Sequence, residues 1–197
     1  MKRVPIITLF VANAISLVGN VLAMIAIPWF VLQTTGSAAQ TGITGFFTIL
    51  PVVIAGFLGG ALTDRMGYRR TSIIADIASG VTVAFIPLLH FTIGLQFWQL
   101  MVLVFLGGLL DTPGSTARDA LLPDLAEQAG MPLERATSLA HVVERGARLV
   151  GAPLAGLLIA VMGTANVLWL DAASFGISAL LVAAVVRVAA SQPRAKP

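Results

Sequence analysis

Asp76, Asp111, Glu144 and Arg148 lie inside long apolar stretches of a chain in which only 11% of residues are charged. An acid or base in such surroundings pairs with an opposite charge, carries a proton or meets a polar solute. Glu144 and Arg148 stand four residues apart, as do His141 and Arg145, so on a helix each pair shares a face. At about 1.5 Å per helical residue, Asp76 falls about 7 Å inside the edge of its stretch, with Asp111 and Arg148 at similar depth. If these stretches cross a bilayer, each uncompensated charge costs about 2.5–3.5 kcal/mol near its centre. The spacing therefore predicts one polar network of Asp64, Arg69, Asp76, Asp111, Arg118, Glu144 and Arg148. The alternative is snorkelling to the interface, which suits Arg118 and Arg145 but not the short Asp111.

Catalytic patterns fare worse. The chain has no cysteine, so it offers no thiolate nucleophile or thiolate metal site. Gly114-Ser115-Thr116-Ala117-Arg118 reproduces the G-x-x-A-R piece of phospholipid-synthesising transferases without the flanking aspartates that would hold their metal ions. His141-x-x-Glu144 is not H-E-x-x-H and lacks a third ligand, and there is no P-loop. The expectation is a protein that is not an enzyme, with no cofactor and no metal. The net charge of +3 is spread over basic residues one to three at a time, without interleaved aromatics, so it does not point to nucleic acid.

The elements that carry these residues follow from composition. Hydrophobic residues make up 57% of the 197 and the mean hydropathy is +0.94, against roughly 45–50% apolar in soluble proteins. Too little charge is present to dress a soluble surface, and the apolar mass excludes a disordered chain. Six segments reach the roughly 20 apolar residues a helix needs to cross a bilayer: 6–32, 41–63, 71–91, 97–116, 138–162 and 165–188. The loops near 33–40, 92–96 and 163–164 hold no Lys or Arg, whereas all 12 basic residues fall on the other side. By the positive-inside bias, both termini are then cytoplasmic, in a multi-pass protein of the cell (inner or plasma) membrane. Residues 1–190 read as one six-helix transmembrane bundle, and 191–197 as a polar tail or the start of an interdomain linker. Prolines at 28, 51, 87, 113 and 153 lie within five spans, which suits a bundle built to bend or, more plainly, the ordinary richness of membrane helices in proline.

Asn13, Ser16 and Asn20 form a polar stripe on the first span, placed to line a cavity or to bond between helices. The second span ends in Gly60-Ala61-Leu62-Thr63-Asp64-Arg65-Met66-Gly67-Tyr68-Arg69-Arg70, a tight turn in which Gly67 reverses the chain. Asp64 at a helix C-terminus opposes the macrodipole and calls for a partner.

This turn resembles the G-x-L-A-D-R-x-G-R-K signature between the second and third helices of the major facilitator superfamily. Gly60, Leu62, Asp64, Arg65 and Gly67 match, Arg69 is a basic match for the lysine, Thr63 replaces alanine and Tyr68 replaces arginine. Ala26-Ile27-Pro28-Trp29 with Thr35-Gly36-Ser37, and Asp111-Thr112-Pro113-Gly114 with Ala120 through Leu125, resemble the macrolide-efflux and enterobactin-exporter branch. Gly151, Pro153 and Gly156 resemble the antiporter motif loosely, with Ala152 intruding and the second glycine of the pair missing.

The resemblance covers nearly the whole chain but half of a twelve-helix transporter. It implies an all-α fold, the amino-terminal half, and secondary active efflux of an amphiphilic drug-like or siderophore-like molecule by alternating access. Protons are the implied energy source. Gly60, Asp64, Arg65, Gly67, Arg69 and Arg70 would form a cytoplasmic gate, and Asn13, Ser16 and Asn20 would line the cavity. Beyond substrate, protons and the lipid bilayer, the implied partner is a second six-helix half, in the same chain if this is a fragment or in another subunit. The competing expectation is a non-transporting membrane interaction protein or truncated half-transporter.

Overall fold

A computed structural model describes residues 3–186, with the backbone alone at 57–62, 64 and 65. The described residues form six helices: α1 (Val4–Thr35), α2 (Ala38–Met66), α3 (Tyr68–Thr92), α4 (Phe97–Ala129), α5 (Leu133–Met162) and α6 (Thr164–Val185). All six contain a window long and apolar enough to span a membrane. The turns are short because their chemistry is local. The Ser37 side chain caps α2 by accepting from the Gln40 N–H, and Gln96 and Gln99 form a reciprocal capping box on α4. Gly67, the single residue between α2 and α3, has φ +80° and ψ 142°, a conformation reserved almost wholly to glycine.

The fourth and fifth helices differ from expectation. α4 continues through 117–129, which sequence had left outside the span, and α5 begins at Leu133. Charge at Arg118, Asp119, Asp124 and Glu127 lowers local hydropathy, but Leu121, Leu122, Leu125, Ala126 and Ala129 keep a helical apolar face, and all five are buried. Pro123 is accommodated within the same helix. The tail 191–197 and Arg187 lie outside the described residues.

α1 packs against α6 and α5, α3 against α4 and α6, and α2 mainly against α4. Two apolar clusters result. One, at the end carrying the amino terminus, joins Ile6, Leu9, Leu121, Leu125 and Val182. The other, towards the opposite end, joins Leu22, Phe30, Ile86, Val104, Leu168 and Phe175. Between them, α1, α3, α4 and α6 each bring polar side chains to one level. Large apolar side chains such as Leu149, Val161 and Leu180 stay exposed, as a lipid-facing surface requires.

Small residues set the helix spacing. Ala12, Ser16, Gly19, Ala23 and Ala26 are all buried along one line of α1. A Cβ at Gly19 would overlap the Ser174 hydroxyl and lie 2.6 Å from Asp171 Oδ1, so α1 crosses α6 with no room for a side chain.

Candidate functional site

Arg118 is the centre of the polar level. Its side chain is 2% exposed, and Nη1 lies 2.5 Å from Asp76 Oδ1 on α3. Nε donates to Asn13 Oδ1 on α1 at 3.1 Å, and Nη2 stands 3.9 Å from Asp111 Oδ1, two turns earlier on α4. The second Asp76 oxygen accepts from Ser178 Oγ of α6 at 2.7 Å. Asn20 Nδ2 donates to Asp111 Oδ2 at 3.0 Å. One guanidinium thus ties α1, α3 and α4, and Asp76 carries the link to α6. Gly114 makes this approach feasible: a Cβ there would lie 2.9 Å from Ala75 Cβ.

The pair is buried, so its attraction acts in a low dielectric, and Asn13 and Ser178 bond to its Nε and its second carboxylate oxygen, which helps such a pair to be tolerated. Asp111 is different. It sits near mid-helix with 22% of its side chain exposed, and Arg118 is much nearer to Asp76.

Of the residues expected in one network, the structure brings Asp76, Asp111 and Arg118 together and separates the rest. Glu144 and Arg148 pair with each other at 2.9 Å on the exposed side of α5, with His141 Nδ1 at 3.7 Å from Glu144. The reason is packing: α5 lies mainly against α1, with Gly151 fitted against Val21, and among the described residues it does not pack on α3, so its charges stay apart from Asp76. Pro153 and Gly156 are exposed elsewhere on α5. Arg69 is also separate, its Nη2 donating to the Ala183 carbonyl near the end of α6 at 2.5 Å. Arg70 is exposed. Gly60, Asp64 and Arg65 belong to the last turns of α2, and their side chains lie outside the described residues.

The polar stripe of α1 also divides. Asn13 and Asn20 are half-buried and bond to α4 charges, whereas Ser16 is fully buried on the Gly19 side, with no hydrogen-bond partner for its hydroxyl. Sequence reasoning left two members of this level out of the candidate site, Ser178 and Asp171. The signal was present: Asp171, Ser174 and Ser178 are spaced three and four apart, a single face of α6.

A shallow cleft lined by Leu9, Phe10, Asn13, Arg118, Asp119 and Leu122 opens beside Asn13; its volume of about 10 Å³ admits a water and no larger solute. Drug-sized ligands fill pockets of roughly 300–1,000 Å³. The arrangement can hold helices together, and this cleft is too small for a drug-sized ligand.

Known proteins share this sequence. The chain is 35% identical over 195 residues to the multidrug efflux pump Tap of Mycolicibacterium fortuitum, covering 98% of this chain and 48% of that protein. It is 25% identical to the staphyloferrin A transporter of Staphylococcus aureus, covering 87% of this chain and 43% of the relative. It is 23% identical to the macrolide efflux protein A of Streptococcus pyogenes, covering 92% and 44%. The chain thus spans about half the length of the curated relatives it matches. Residues 9–197 match the Major Facilitator Superfamily. With six apolar helices over the same region, the chain belongs to that superfamily and is a multi-pass membrane protein.

Proposed function

We propose that this chain forms the amino-terminal six-helix half of a proton-driven efflux transporter for amphiphilic small molecules. The observation that carries the reading is the set formed by Asn13, Asn20, Asp76, Asp111, Arg118 and Ser178, which braces four helices and leaves one carboxyl, Asp111, at its open edge. Rigid halves rocking about a central site need such bracing. The efflux pumps among the relatives favour the outward direction, and the small cleft beside Asn13 favours a second half as the other chamber wall. That half belongs to the same polypeptide or to another subunit. α2 and α5 are far less enclosed than α1, α3 and α6, which leaves faces for it to cover.

The face bearing the α2–α3 and α4–α5 turns is the cytoplasmic one, since Arg3, Arg69, Arg70 and Arg135 gather there. Asp64, Arg65 and Arg69 serve its gate. Asn13 and Asn20 face the chamber through their exposed parts. The test is efflux of a lipophilic fluorescent drug from cells expressing this chain, with and without a protonophore. Efflux that collapses with the protonophore is expected; well-inserted protein without efflux would favour a non-transporting relative.

A further inference from the structure

The polar level holds three carboxyls, Asp76, Asp111 and Asp171, against one guanidinium, Arg118. Asp76 takes Nη1 of that guanidinium, and Asn13 takes its Nε. Asp171 on α6 is 1% exposed, and among the described residues no Lys, Arg or His pairs with it. Its Oδ1 has no hydrogen-bond partner, and Ser174 Oγ donates instead to the Asp171 backbone carbonyl at 2.7 Å. An ionised carboxylate enclosed in this way is costly, and a proton is the smallest ligand that removes the charge.

The surroundings say which group such a proton would affect. α1 presents Gly19 and Ser16 to α6 and has no ionisable side chain within its span. On α3, Asp76 is engaged by Arg118 and Ser178. The α5 charges Glu144 and Arg148 are paired with each other. The other carboxyl tied to this part of α1 is Asp111 on α4. Asn20, the residue after the glycine that rests on Asp171, is the one bonded to Asp111.

We infer that Asp171 is the proton-binding carboxyl of this bundle and that Asp111 is the group on which its charge acts. The inference rests on the proton-driven reading above and deepens it. With the proton on Asp171, Asp111 meets no repulsion and rests on Asn20 of α1. When the proton leaves to water, a charge stands against Gly19, one residue from the Asn20 that holds Asp111, and Asp111 is driven towards Arg118 on its own helix. Protonation on α6 is thereby transmitted to the contact between α1 and α4 without a new bond to substrate.

The test is infrared titration of the 197-residue chain in lipid nanodiscs, following the carbonyl band of protonated carboxyls. We expect a pH-dependent band that is lost in Asp171→Asn and retained in Asp76→Asn. An unchanged band in Asp171→Asn overturns the assignment. Asp111→Asn keeps Asp171 in place and should displace the midpoint of the band's loss; an unmoved midpoint overturns the coupling even if Asp171→Asn fails to fold. A band that follows sodium concentration instead of pH also overturns it, because the ligand would then be a metal cation. Protonophore-sensitive efflux without an Asp171 titration removes this site while leaving proton-driven transport intact. An Asp171 titration in a chain whose efflux ignores protonophores leaves the site and removes its part in the cycle.

Discussion

Removing Arg118 should damage the bundle more than removing Arg118 and Asp76 together. Arg118→Met deletes the 2.5 Å contact to Asp76, the bond to Asn13 and the longer contact to Asp111, and leaves the fully enclosed Asp76 with only the Ser178 hydroxyl. Breaking a buried pair from one side costs about 3–5 kcal/mol, because the other charge stays buried. Asp76→Leu strands the guanidinium in the same way, although Asp111 can then move onto it and soften the loss. In the double variant no stranded charge remains at the Asp76 position, and the two apolar side chains can pack in the space that the ion pair occupied. The double should therefore recover about 1–3 kcal/mol relative to the sum of the singles, the range seen for residues in direct contact. Unfolding free energies in lipid, measured for all four corners of the cycle, supply the coupling. Additive losses, or an Arg118→Met cost below about 1 kcal/mol, would show that the guanidinium is solvated and braces nothing.

Three further outcomes follow from packing. Gly19→Val should destabilise by about 1–3 kcal/mol through overpacking, since its side chain would occupy the place of the Ser174 hydroxyl and Asp171 Oδ1; thermal unfolding in nanodiscs measures this. Gly67→Ala should cost about 1–3 kcal/mol from backbone strain alone, because nothing lies within 4 Å of its added methyl, and the same unfolding assay reads it. Glu144→Gln should change stability by less than about 1 kcal/mol, because its partners Arg148 and His141 are exposed; a loss comparable to Arg118→Met would place Glu144 in the central level after all.

The sequence carries the helices more clearly than their partners. Hydropathy is a property of each segment, so six spans are legible from residue types. The extension of α4 is not, because Arg118 and the acids that follow it lower the hydropathy of 117–129, although their apolar neighbours keep one helical face. Asn13, Ser16 and Asn20 look like one stripe by spacing. On a real helix Asn13 and Asn20 nearly eclipse, while Ser16 is turned about 60° aside, enough to place it on the α6 side of α1. Glu144 and Arg148, four residues apart, pair along one helix. Which way that helix faces is decided by Ala147, Gly151 and Ala155, whose smallness carries no sign of the partner they meet. Asp171 stood apart from the expected network for the same reason: depth is readable from position along a span, and enclosure is not.

What gives α1 its importance is that its two sides speak to different acids. Asn20 faces Asp111 on α4, and the adjacent Gly19 lies flush on Asp171 of α6. The apolar clusters above and below lock the same helix to its neighbours, so it cannot slide freely when one of these contacts changes. A shift at Asp171 must then appear either as a small tilt of α1 or as a changed Asn20–Asp111 bond. Both act at the edge of the bundle that Asp111 exposes. Arg118 resists the larger of these movements by holding Asn13, two helical turns nearer the amino terminus, to α4. The bundle thus combines a fixed tie at Asn13 with a releasable one at Asn20, and the distance between them along one helix face supplies the lever.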